Sequence, residues 1–187
     1  SAPLMLVHPK SKLEPSRLLA AVDVSVGGPA GQLNDQLVAA AQGCIVGDHG
    51  QFSIGSVFSC MPLGYYDAGF IANTWELMDS AHADSLKQFA ARHRLHASQV
   101  LRSRRLEPAD GIATLAAQNQ IDLVVLGSAY HATVDRLLFG STADALLRRL
   151  SCDVLLIKPV AVDHPADAVA SLLRRRPSSH RRPDAIA

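Results

Sequence analysis

The chain has 187 residues, 48% of them hydrophobic, and its 18 basic and 17 acidic side chains leave a net charge of +1. This composition gives room for one main folded domain and excludes a chain that is disordered throughout, while the balanced charge argues against nucleic acid or a membrane surface as partner. No apolar run approaches the roughly 20 residues needed to span a bilayer, and the first residues lack the pattern of a signal peptide, so we expect a cytoplasmic protein.

The first residues of the chain are typical of a short apolar strand. The segment 2–11, APLMLVHPKS, ends in His-Pro-Lys and is similar to CDVLLIKPV near the other end of the sequence. Two similar strand endings about one domain length apart indicate an internal repeat whose first copy is nearly all missing. We therefore expect residues 1–14 to be the last strand and linker of a preceding domain, and residues 15–160 to form the main domain. The alternative is an unrelated N-terminal strand.

A strand that ends on an acidic residue comes next. Residues 17–23 are apolar up to Asp23 at the carboxyl end, and the glycine-rich turn that follows matches neither the P-loop nor the dinucleotide-binding spacing. An apolar stripe then predicts a helix over residues 32–42. A second strand is predicted over 52–60. The loop expected over 61–73 is long enough to be functional.

A long helix is predicted over residues 75–95. Its expected core stripe consists of apolar residues at helical spacing, namely Trp75, Leu77, Met78, Ala81, Leu86, Phe89 and Ala90. His93 and His96 at its polar end have no acidic or thiolate residues at matching spacing, so no metal site is predicted. The chain also has an odd number of cysteines without CxxC spacing, which indicates reduced thiols: Cys44, Cys60 and Cys152.

The second half of the domain continues the alternation of strands and helices. The predicted elements are a strand over 99–104, a helix over 109–118, a buried strand over 123–126, a helix over 141–150 and a last strand over 154–157. This order predicts an α/β fold with a doubly wound, five-stranded parallel sheet of order 3-2-1-4-5 and helices on both faces, similar to a Rossmann fold. The basic residues 161–187 are predicted to be a disordered, solvated tail.

Residues suited to bind a small anion lie around the strand at 123–126. Gly127 ends that strand without a Cβ, and Gly140, Ser141 and Thr142 place amides and hydroxyls at the start of the next helix. If the sheet order is as predicted, Asp23 and Gly127 flank the crevice at which the strand order reverses. The interpretation without a ligand is a strand-end turn followed by an ordinary helix cap.

The spacing of these residues resembles a family motif. Gly127, two residues, position 130, nine residues, then Gly140 and Ser141 reproduce the spacing G-x2-G-x9-G-(S/T) of nucleotide-binding universal stress proteins. The sequence from Ala143 onward is similar to the last helix and strand of that family, and residues 33–35 resemble the second half of its tandem members. Tyr130 departs from the pattern, because the family has a glycine there.

The resemblance implies a stress-response domain that binds ATP, with magnesium, and pairs with a second such domain, either in the same chain or as a homodimer. In the family that pairing commonly uses the last strand. The implied nucleotide-binding residues are Asp23, Val57, Gly127, Ser128, Gly140, Ser141 and Thr142.

Two other functions stay open from the sequence. Because a side chain at position 130 would crowd a phosphate path, the domain is alternatively a scaffold, or binds a more apolar ligand beneath the loop at 61–73. Slow ATP hydrolysis is the third possibility. No Ser-His-Asp or Cys-His arrangement and no general base can be identified, so we expect a binding protein rather than an enzyme.

Overall fold

The computed structural model describes residues 3–9, 11, 14–25, 30–45, 50–59, 68–127 and 141–158. They form the strands β1 (Leu4–Leu6), β2 (Arg17–Ala21), β3 (Gln51–Phe58), β4 (Val100–Arg104), β5 (Leu123–Gly127) and β6 (Asp153–Ile157). The helices are α1 (Ala30–Gly43), α2 (Ala68–Arg92), α3 (Pro108–Gln118) and α4 (Ser141–Leu147), with a 3-10 turn at Ala97–Gln99. The chain therefore has an α/β fold.

The six strands form one mixed sheet of order β1-β6-β5-β2-β3-β4. Strands β2 to β6 are parallel to their neighbours, whereas β1 runs antiparallel to β6, with Leu4 opposite Leu156 and Leu6 opposite Val154. The predicted number of five strands is therefore wrong, because the N-terminal segment joins the sheet as a sixth strand, whereas β2 to β6, counted from β2 as strand 1, keep the predicted order 3-2-1-4-5. The N-terminal segment joins because β6 would otherwise leave a row of backbone donors and acceptors unpaired.

Helices cover both faces of the sheet. Along β5 the side chains alternate, so that Leu123 and Val125 belong to a core shared with α1 and α2. Val124 and Leu126 belong to a second core, shared with α3 and α4. All four residues are buried, which explains why this strand is a continuous apolar run in the sequence.

Two buried or half-buried carboxylates fix the amino ends of the strands. Asp122 Oδ2 accepts hydrogen bonds from the backbone N–H groups of Ser16 and Arg17 and from the Ser16 hydroxyl, at 2.9–3.0 Å. Asp153 Oδ1 accepts the backbone N–H of His8 at 2.8 Å. Hydrogen bonds to an ionised acceptor are stronger than neutral ones. Asp122 thus sets the start of β2 beside β5, and Asp153 holds the end of β1 against β6.

The second helix differs from its prediction in extent and orientation. It begins at Ala68 and ends at Arg92, so the predicted loop at 61–73 is wrong over 68–73, where no proline interrupts the helix. Residues 60–67 lie outside the described part of the structure. Leu77 and Met78 are 72% and 51% exposed, whereas Asp79 and His82 are buried. The predicted core stripe is wrong at this end, because polar side chains take the buried positions.

The remaining predictions concern His96, the cysteines, the tail and a possible membrane span. His96 caps the 3-10 turn rather than lying within α2, and Cys44 and Cys152 are half-buried thiols outside any disulfide. Burial raises the pKa of the Cys152 thiol to about 11. Cys60 and the predicted tail at 161–187 lie outside the described residues. None of the helices in the described ranges has the length and apolar character required to cross a bilayer.

Candidate functional site

A cavity of about 410 Å³ opens at the carboxyl ends of the central strands. Its floor comes from the ends of β2, β3 and β5, and its walls come from α1 on one face of the sheet and from α3 and α4 on the other. The cavity lies where the strand order reverses, because β2 pairs with β3 on one side and with β5 on the other. Ligands of open α/β sheets bind at such points, and the volume is typical of small-molecule sites.

Four of the seven predicted nucleotide-binding residues line this cavity together. Asp23, Val57, Gly127 and Thr142 come from four separate segments of the chain, and all four contribute to its surface. Ser141 is the first residue of α4, but its side chain is not described. The remaining predicted residues, Ser128 and Gly140, lie outside the described residues, as does Tyr130.

The Asp23 carboxylate lies two residues beyond the end of β2. The side chain is exposed at the cavity, and its Oδ1 accepts the backbone N–H of Ser25 at 2.9 Å. Asn34 of α1 donates from Nδ2 to the Asp23 carbonyl at 2.6 Å and accepts the Asp23 N–H at 3.1 Å. The position of the carboxylate is therefore fixed through both its side chain and its backbone.

Gly127 packs closely against a neighbouring side chain. A Cβ built on Gly127 would lie 2.6 Å from Leu33 Cδ2, much closer than atoms of this kind approach. The residue pairs with Ile157 as the last residue of β5, and its φ lies outside the left-handed region. The glycine that the sequence suggested as a point of ligand approach therefore first makes room for Leu33, which also lines the cavity.

The lining of the cavity is mostly apolar. Within the described residues, Asp23 is its one charged member, and no lysine or arginine contributes. The apolar walls come from side chains such as Val22, Leu37, Ile112 and Leu126. This arrangement suits an apolar or aromatic group between the helices and a hydrogen-bond donor at the carboxylate. No group of three potential metal ligands is found in the described parts of the chain.

A buried polar cluster behind β3 was not predicted from the sequence. Ser56 is 1% exposed and contacts His82 of α2, with 3.1 Å between Oγ and Nε2. Arg102 of β4 donates from Nε to His82 Nδ1 at 3.4 Å. Because an arginine only donates, Nδ1 must be unprotonated, and the neutral ring then carries its proton on Nε2 and donates to Ser56. His82 in this form cannot remove the proton from Ser56, so the pair is not a catalytic dyad.

The same cluster contains a carboxylate held by two arginines. Asp79 is 8% exposed and forms ion pairs with Arg102 and Arg104. The hydrogen bond from Arg104, together with the charges of both arginines, lowers the pKa of Asp79. Burial, followed by the charge of Arg102, lowers the pKa of His82. The sequence signal that could have indicated this cluster is the helical spacing of Asp79, His82 and Leu86, which puts them on one face of α2.

The sequence matches the model of the Universal stress protein family over residues 15–158. No match was found among curated proteins.

Solved structures share the fold. The chain is 21% identical to PA1789 from Pseudomonas aeruginosa PAO1, a protein of unknown function, with a TM-score of 0.67, covering 91% of this chain and 54% of that one. The chain is 20% identical to a candidate universal stress protein from Pseudomonas aeruginosa UCBPP-PA14, with a TM-score of 0.67, and the match covers 91% of this chain and 55% of that one. It is 20% identical to universal stress protein UspA from Lactobacillus plantarum, with a TM-score of 0.53, and the match covers 76% of this chain and 97% of that one. The chain thus spans about half the length of the two Pseudomonas proteins.

Packing at Gly127 can be tested by a double substitution. Gly127→Val should lower the free energy of unfolding by about 1–3 kcal/mol, as expected for overpacking, because the new side chain collides with Leu33. In a Leu33→Ala background most of that cost should disappear, since the two positions are coupled. Urea denaturation of the four proteins measures both values. An equal cost in both backgrounds would show that Leu33 is not the obstacle.

The buried His82 should make stability depend on pH. Its pKa in the folded state is below the ordinary value of 6.5, so the unfolded chain binds protons at a higher pH than the folded chain does. Stability should therefore fall as the pH falls from about 7 to about 5. In His82→Gln the fall in melting temperature over this range should be smaller, whereas in the exposed control His96→Gln it should match wild type. Equal pH slopes for His82→Gln and wild type would contradict the assignment.

Proposed function

The chain belongs to the universal stress protein family, and from that membership we propose that it is a cytoplasmic stress-response domain that binds a nucleotide and pairs with another domain of the same kind. The observation that carries the nucleotide proposal is the convergence of Asp23, Val57, Gly127 and Thr142 on one cavity. The family resemblance assigns these same residues to nucleotide binding from the sequence alone. Membership of the family alone does not fix the ligand.

The nucleoside portion of the ligand occupies the described cavity in this proposal. The adenine lies against Val57 and the apolar walls, while Asp23 accepts hydrogen bonds from ribose hydroxyls or from the adenine amine. Asp23 repels phosphate, and no cation lines the described walls. The phosphates therefore extend past Gly127 and Thr142, away from Asp23. Magnesium accompanies the ATP, since it binds phosphate oxygens together with few protein ligands.

A second candidate ligand is an apolar small molecule without phosphates. The observation that favours it is the lining itself, in which apolar side chains from both faces of the sheet surround a single carboxylate. Such a ligand buries its apolar body between α1 and α4 and presents a hydroxyl or amine to Asp23. This candidate needs no cationic residue. Both candidates make the protein a binding domain rather than an enzyme, and neither uses the Ser56–His82 pair.

The N-terminal strand supports the proposed pairing with another domain. β1 adds to the edge of β6 in antiparallel orientation, which is the arrangement in which a strand of a second domain covers an open edge. The length of the Pseudomonas proteins, of which this chain covers about half, fits a tandem arrangement. We propose that residues 1–14 are the last strand of a preceding domain, β1, together with the linker to the domain that begins at residue 15.

Binding of ATP can be tested with a substitution at the cavity entrance. Thr142 is exposed and lines the cavity, so Thr142→Trp should block the entrance without disturbing the core. Isothermal titration with ATP and magnesium should show a dissociation constant raised at least about tenfold, equivalent to about 1.4 kcal/mol. Arg148→Trp, at an exposed residue that follows the same helix, is the matched control and should bind like wild type.

The same titration separates the two ligand candidates. If the wild type gives no heat with millimolar ATP, but a neutral apolar dye such as N-phenyl-1-naphthylamine binds and is lost in Thr142→Trp, the apolar candidate replaces the nucleotide. If neither probe binds, or if both variants bind like wild type, the cavity is not the ligand site.

The role of β1 can be tested by deletion of residues 1–10. Removal of β1 exposes the backbone groups of β6, so the shortened protein should form a dimer through that edge at micromolar concentration. Sedimentation velocity measures the change in mass. The full chain, in which β1 covers the same edge, is the control and should remain monomeric at that concentration. A monomeric, equally stable deletion variant would contradict the proposed pairing edge.

A further inference from the structure

We propose that Asn34 is a positioning residue for the ligand site, which acts by holding Asp23. This inference rests on the proposed function, because it concerns the carboxylate assigned to the ligand. Asn34 is 5% exposed, lies on α1 and contributes to the same cavity. Its two hydrogen bonds both go to the backbone of Asp23.

The reason for this contact is the pairing of the strands around β2. Neighbouring residues of a strand direct their backbone groups to opposite sides. Val22 donates its N–H to Gly55 of β3 at 2.9 Å, so the N–H and carbonyl of Asp23 point towards β5. Pairing with β5 ends at Ala20, which lies opposite Val125. Within the described residues, the backbone of β5 offers no partner to either group of Asp23.

The side-chain amide of Asn34 takes the place of the missing strand. It offers one acceptor and one donor in a planar group, as a peptide unit does. Its oxygen accepts the N–H of Asp23 at 3.1 Å, and its nitrogen donates to the Asp23 carbonyl at 2.6 Å. The chain thereby keeps the direction of β2 for two residues beyond Ala21, the last residue of that strand. A side chain without both groups, such as serine or leucine, cannot do this.

The consequence concerns the Asp23 carboxylate. Ser25 N–H occupies one carboxylate oxygen, and among the described residues no donor contacts the other. With the backbone held by Asn34 and one oxygen held by Ser25, the second oxygen has a defined position at the cavity before any ligand arrives. Preorganisation of this kind reduces the cost of ordering the site on binding.

Hydrogen exchange tests the contact without a ligand. In Asn34→Leu, a change that keeps the approximate volume but removes both hydrogen bonds, the Asp23 amide should exchange at least about tenfold faster, which corresponds to about 1.4 kcal/mol. The Val22 amide, bonded to Gly55, is the internal control and should be unchanged. Gln36→Leu, the same chemical change on the same helix, should leave both amides unchanged. Unaltered exchange at Asp23, or equal acceleration at Val22, would overturn the proposal.

A double-mutant cycle tests the effect on binding. With ATP and magnesium as the probe, Asn34→Leu should weaken binding at least about fivefold in the wild-type background and less than about twofold in an Asp23→Ala background, because two residues that act as one are not additive. Equal weakening in both backgrounds would mean that Asn34 contacts the ligand itself or only stabilises the fold. If the wild type does not bind ATP, the nucleotide proposal fails, and the exchange measurement alone decides the role of Asn34.

Discussion

The parallel pairing of β2 with both β3 and β5 is the constraint on which the rest of the structure depends. α1, the helix after β2, lies on one face of the sheet, and α4, the helix after β5, lies on the other. The helices α1 and α4 therefore diverge, and the cavity is the space between them. Asp122 sets the relative height of β2 and β5 through its hydrogen bonds to Ser16 and Arg17.

The two faces of β3 divide the chemistry of the molecule. Val57 points to the cavity side, whereas the preceding Ser56 points to the buried cluster with His82, Arg102 and Asp79. In this cluster the buried carboxylate of Asp79, which would be costly to bury alone, is paired with arginines. It connects α2 to β3 and β4, and so supports the strand that carries Val57. The cavity itself keeps one carboxylate and apolar walls.

Much of the fold was accessible from the sequence because the central strands are buried on both faces. The apolar run at β5 and the acidic residue after β2 correctly predicted that Gly127 and Asp23 lie at the same cavity. Both signals are local in the sequence. The resemblance implied pairing through the last strand, but the register of β1 on β6 could not be foreseen, because edge pairing depends on contacts about 150 residues apart, as between Leu4 and Leu156. Asn34 was also missed, since its role depends on where the pairing of β2 with β5 stops.

The second helix shows a different limit of sequence reasoning. Hydrophobic periodicity selected Leu77 and Met78 for the core, but the buried positions there belong to Asp79 and His82. The spacing of apolar residues identifies the buried face of a helix only where that face packs against apolar neighbours. At this end of α2 the partners are Arg102 and Arg104 of β4, and ion pairing replaces apolar contact. No local signal in α2 reveals basic residues that lie on another strand.

The most direct measurement of the central claim is a methyl-resolved NMR titration of the full chain with ATP and magnesium. If the ligand enters the cavity between β2 and β5, saturable shifts will appear in the methyl groups of Val22, Val57 and Leu126. These residues line the cavity, whereas Leu86 on the buried face of α2 does not and will not respond. Saturable shifts confined to methyl groups outside the cavity, or no shift at millimolar ATP, would contradict it.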